Sequence, residues 1–202
     1  MRTLQMFSKF NILLFLFVVV AACQDDETPP PPPDPEPIDL TFNGVQMTDE
    51  NGAPIGCYDG DCTDDWTNIN LTIDELNYLA FDHNIPGATP ELGEAEMHPI
   101  FPNPIGNTGN MGIAFETTGK LIFKMVVIDT MGNALITHVS ETQMGFNTIQ
   151  LSSEVFEGLE RKTIYRIYYA FYDVTSAPVY TGYGDFGICE EDFNPNPVEC
   201  FE

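Results

Sequence analysis

The densest run of chemistry-bearing side chains is Asp59-Gly60-Asp61-Cys62-Thr63-Asp64-Asp65. Calcium takes roughly six to eight oxygen ligands, often from alternating positions of a glycine-containing loop. Asp59, Asp61 and Asp65 have the spacing to supply some of them. The run lacks the twelve-residue frame and closing glutamate of an EF-hand loop. Calcium is therefore the one cofactor the sequence suggests, and a solvated acidic loop is the plainer alternative. Catalytic chemistry is poorly supported. His83, His98 and His138 are scattered, and no GxSxG, HExxH or phosphate-cradling glycine loop is present. With 31 acidic residues, some carboxylates meet in any fold. A glycosidase-like pair thus does not follow from the sequence, and the chain reads as a non-enzyme.

Four cysteines, Cys57, Cys62, Cys189 and Cys200, remain once Cys23 is set aside for the role argued below. An even number outside the reducing cytosol points to disulfides. Two local bridges, Cys57–Cys62 and Cys189–Cys200, are the first expectation, each stabilising by about 2–3 kcal/mol. Pairing between the two clusters is the alternative, and the spacing is unlike the CxxC of zinc sites. Aromatic residues crowd two neighbouring strand candidates, from Tyr165 to Phe186. If Tyr165, Ile167, Tyr169 and Phe171 face a core, Tyr168 and Tyr172 face outward with Arg166. There they are candidates for a binding surface that stacks on a sugar or a protein partner.

These residues need an address and a scaffold. Arg2 and Lys9 precede the apolar run Phe10 to Val20, which is too short for a spanning helix of roughly 20 residues but suits a signal segment. The run Val20-Ala21-Ala22-Cys23 resembles the bacterial lipobox. The resemblance implies cleavage after residue 22 and acylation of Cys23 by chains such as palmitate, each buried methylene holding the protein by about 0.8 kcal/mol. Gln24-Asp25-Asp26-Glu27 is similar to the acidic signal that directs lipoproteins of Bacteroidota to the cell exterior. Thr28 to Pro37, TPPPPPDPEP, follows. Proline lacks the donor and fixes φ, so residues 24–37 read as an extended spacer of roughly 40 Å. The expected organisation is a signal segment 1–22, a lipidated linker 23–37, and one domain 38–202.

Charge narrows the partners. The chain carries a formal charge of −24, and no Lys or Arg lies between Gln24 and Gly119. Such a field repels phosphate backbones, which excludes nucleic acid.

The domain reads as strands. Ile38 to Phe42, Gly112 to Thr117, Leu121 to Asp129, Ala134 to Ser140, Phe146 to Leu151, Ile164 to Asp173 and Pro178 to Ile188 are rich in β-branched and aromatic residues and separated by turn signals. One stretch, 70–81, reads as a helix because Thr72 and Glu75 form a capping-box pattern before Leu76, Leu79, Ala80 and His83; a strand pair is the alternative. The fold class is therefore all-β: an immunoglobulin-like antiparallel β-sandwich with a short helical or irregular insertion, placed at about 52–98. Leu159, followed six residues later by Tyr165 and then by alternating Ile167 and Tyr169, resembles the tyrosine corner of immunoglobulin and fibronectin type III modules. The order Phe101-Pro102-Asn103-Pro104, Val127-Ile128-Asp129 with Gly132, Ile149-Gln150-Leu151, and Gly158 through Tyr165 is similar to the C-terminal sandwich of type IX secretion cargo. The strand and tail after Tyr169 depart from that module, so the likeness bears on fold rather than on sorting.

Together these features predict an outer membrane lipoprotein displayed on the cell surface. It would act as a binding or structural envelope module for a protein or glycan partner. A surface hydrolase using paired carboxylates and a calcium-stabilised adhesion module are the alternatives.

Overall fold

Seven strands form two antiparallel sheets. β3 (Ala95–Met97), β4 (Met111–Thr117) and β7 (Gly145–Leu151) pair in the order β3-β4-β7. The larger sheet has the order β6-β5-β8-β9, from β5 (Ile122–Ile128), β6 (Ala134–Glu141), β8 (Thr163–Tyr172) and β9 (Pro178–Ile188). A separate hairpin joins β1 (Val45–Thr48) and β2 (Pro54–Tyr58), and a short helix α1 spans Ile73–Tyr78. The structure is a computed structural model and describes residues 40–42, 44–82, 84–106, 109–190 and 200–201. Cys23, the signal run, the proline spacer and His83 lie outside the described residues. Among those described, no helix is long and apolar enough to cross a membrane.

Period-two alternation builds the core between the sheets. Ile113 and Phe115 of β4 meet Phe123, Met125 and Val127 of β5 and Tyr165, Ile167, Tyr169 and Phe171 of β8. Each such side chain contributes about 1.5–3 kcal/mol on burial. The Tyr165 hydroxyl donates to the Glu160 carbonyl at 3.1 Å, closing the tyrosine corner as its spacing predicts. The architecture is the expected all-β sandwich.

β5 is buried along its whole length on both faces. The opposite faces of β5 and β8 carry Val126, Ile128, Tyr168 and Ala170, a second apolar layer that needs a cover. Residues 40–42 and 69–81 supply it, with Leu40, Leu71 and Leu79 inserted over the sheet. Here one expectation is corrected and one holds. Leu40-Thr41-Phe42 is not a strand; it lies on this layer, and the Thr41 carbonyl accepts from Arg166. The stretch 70–81 contains a single helix rather than a strand pair, and its capping box forms as read from Thr72 and Glu75.

Candidate functional site

The cover is fastened to the sheet by ionisable side chains. Lys124, in the middle of β5, is 2% exposed. Its ammonium donates to the carbonyls of Leu79 and Phe81 at the end of α1. Those carbonyls lack helical partners and sit at the negative end of the helix, so a cation is stabilised there. The Phe81 ring lies 4.3 Å from the ammonium. Burial lowers the Lys124 pKa, and Asp82 works against that. The other end of α1 is tied by Glu75, which accepts from the Thr72 N–H at 2.7 Å and from the Tyr168 hydroxyl at 3.2 Å. Tyr78 stacks on Tyr168 at 5.6 Å and donates to the Gly132 carbonyl at 2.9 Å.

A second charged group sits where β8 and β9 meet. Arg166 donates from Nε and Nη2 to the two oxygens of Asp185, both at 2.7 Å, and the pair is buried. The guanidinium is held between the Phe42 and Tyr183 rings, 5.1 and 4.1 Å away. Burial opposes the Arg166 charge, but Asp185 and Tyr168 more than offset it and raise the pKa. Burial likewise pushes Asp185 upward while the guanidinium pulls it back. Asp65 adjoins this pair. It accepts from the Gln46 N–H at 3.0 Å, and burial together with the Asp185 charge pushes its pKa up to about 7.

The acidic loop is thus divided. Asp65 is turned inward, 6% exposed, whereas Asp59 and Asp61 stay in solvent and Asp61 caps the Thr63 N–H at 3.0 Å. Among the described residues, no three His, Cys, Asp or Glu side chains converge to hold a metal ion. The bridges are Cys57–Cys62 and Cys189–Cys200, with Cα separations of 6.0 and 4.7 Å, so the local pairing holds. His98 lies 4.0 Å from the Glu116 carboxylate, and His138 is on β6 beside Ser140 at 3.2 Å.

The expected binding surface is corrected. Tyr168 is fully buried beneath α1, and Tyr172 is half-buried beside Lys124. Both face away from the inter-sheet core as alternation predicts, but the apolar layer they belong to is covered by the front segment. What the sequence reading missed is the fastening by Lys124, Arg166 and Asp185. Its signal was available: a lone cation inside an apolar strand, as in IFKMVVI or TIYRIYYAFY, needs a buried partner.

The cover also shapes a shallow cavity of about 200 Å³ between the stretch before α1 and the start of β9. Asn68, Asn70, Leu71, Leu76, Val179, Tyr180 and Thr181 line it with Pro178, a set without a carboxylate.

No protein-family model matches the chain, and no curated protein matches it. Among solved structures, a β-glucosidase from Listeria innocua in complex with isofagomine aligns with 50% of this chain at 10% identity and a TM-score of 0.36. The same enzyme in complex with glucose gives 11% identity and a TM-score of 0.34. The chain spans only 17% and 16% of the lengths of those two enzyme chains. Likeness at this level carries no argument about activity.

Proposed function

We propose that this chain is a non-enzymatic binding or structural module of the bacterial envelope, held at the outer membrane surface through a lipid on Cys23 and set off from it by the proline spacer. The observation that carries the non-enzymatic part is how the buried charges are used. Asp65 and Asp185 are committed to the Gln46 N–H and to Arg166, and Lys124 to the end of α1. These groups hold a cover on a sheet; they do not line the cavity, which offers amides, hydroxyls and apolar surface. The anchoring part rests on the residues from Phe10 to Cys23. The Cys23→Ala chain is expected to lose labelled fatty acid and leave the membrane fraction, and intact cells carrying the unaltered chain are expected to lose the domain to added protease. Retention of the variant in membranes would overturn the anchor. Turnover of a glycoside by the purified chain, abolished in Asp65→Asn, would overturn the non-enzymatic reading.

A further inference from the structure

The two edges of the larger sheet are treated differently. The β9 edge is paired almost end to end by the chain itself. Trp66 and Ile69 donate to the Tyr183 and Thr181 carbonyls at 2.9 Å each. Farther along, Ile105 donates to Gly187 at 2.8 Å and accepts from Cys189 at 2.9 Å. The β6 edge has no neighbour among the described residues. An eight-residue edge strand leaves a row of unpaired N–H and C=O groups, which proteins usually protect with charges, proline or a covering segment. Between Ala134 and Ser140, β6 has no proline, no Lys or Arg and no carboxylate.

Composition isolates the same strip. In a chain with 31 acidic residues, the stretch 130–153 holds one, Glu141. That carboxylate accepts from the Thr89 N–H at 2.6 Å, so it is occupied within the chain. Large apolar side chains of the same stretch stay in solvent: Met131, Leu135, Met144 and Phe146 are exposed, Met144 by 73% and Phe146 by 64%. A basic partner would be drawn to the acidic surfaces elsewhere. A neutral edge fits another neutral edge, and a second copy of the chain brings one that is self-complementary under a two-fold axis.

The geometry points to β6 as the contact strand of a two-fold dimer of this chain, in which β6 pairs antiparallel with its own counterpart and the two larger sheets become continuous. Glu141 selects the register. With the axis at Thr137, Leu135 faces Val139 of the second copy on one side of the sheet and Ile136 faces His138 on the other. Glu141 then falls beyond the counterpart strand, so no carboxylate meets another. The dimer stands independently of the lipid anchor, and its failure would leave the anchor reading untouched.

The test uses the full chain, in native membranes and after purification in detergent. A Thr137→Cys variant should cross-link to itself on mild oxidation, giving a band at twice the monomer mass. Val179→Cys, exposed on the opposite side of the sheet, should not. Thr137→Lys places like charges face to face on the axis. It should weaken association about tenfold or more while the monomer's melting temperature stays put. Raising salt from about 10 to 150 mM shortens the screening length from roughly 30 to 8 Å and should strengthen the dimer, because only net repulsion is screened. Equal cross-linking at both cysteines, cross-linking of Thr137→Cys to a different protein, or weakening by salt would each overturn the proposal.

Discussion

The β9 side and the β6 side of one sheet show two ways of finishing a sandwich. On the β9 side the front segment adds backbone pairs, a tryptophan and the buried Asp65, which adjoins the Arg166–Asp185 pair of the sheet itself. On the β6 side no further strand pairs among the described residues, and the stretch 130–153 carries a single carboxylate, Glu141. Charge placement teaches the difference: in a chain of −24, the cations Lys124 and Arg166 are both taken inside to hold the cover down. Sites on the covered side are therefore stability sites, and sites on the bare side are free to meet another molecule.

The largest expected effect comes from removing the arginine. Arg166→Ala strands Asp185 and Asp65 as buried carboxylates without a counter-charge and should cost about 3–5 kcal/mol in urea unfolding. A cost under about 1 kcal/mol would show that the cover does not depend on the pair.

Asp65→Asn should act in the opposite direction. The folded chain holds the Asp65 proton up to about pH 7, against 3.8 for the ordinary group. The native state therefore binds more protons across that window, and stability falls as pH rises through it. At pH 8 the variant should be more stable by about 2–4 kcal/mol, and the difference from the unaltered chain should vanish near pH 4. A constant difference from pH 4 to pH 8 would remove Asp65 from the account.

Gly184→Ala probes the packing of the front segment. A Cβ at Gly184 would lie 2.2 Å from the Trp66 ring, and one at Gly182 2.3 Å from the Thr67 carbonyl. Overpacking of this kind costs about 1–3 kcal/mol. Because Trp66 is the single tryptophan, its near-ultraviolet circular dichroism should change with the substitution. The smallest effect belongs to the bare side: Thr137→Lys should alter monomer stability by no more than about 0.5 kcal/mol, as expected for an exposed position. A large loss there would mean that the β6 edge is already in use within the chain.

Much of the scaffold was legible. Strands β4 to β9 follow alternation and turn residues closely, and Tyr165 reached the Glu160 carbonyl as its spacing implied. The Thr72–Glu75 box marked the start of α1. The short strands β1, β2 and β3 carried no such signal: VQMT, PIGCY and AEM are brief, and glycine or proline interrupts β2. Tyr168 was misread for a different reason. Alternation tells which face of a strand a residue is on, but not whether a remote segment lies over that face.

By itself the sequence determined period, sign and covalent opportunity: which residues alternate, how acidic the surface must be, and which cysteines are close enough along the chain to bridge locally. These are properties of neighbours a few residues apart. Only the tertiary structure decided that Asp65 leaves its acidic neighbours to join Asp185, that Lys124 holds the end of a helix 45 residues upstream, and that one sheet edge is paired by the chain while the other has no neighbouring strand among the described residues. Desolvation and hydrogen-bond satisfaction act on groups brought together across the chain, and no local pattern records them.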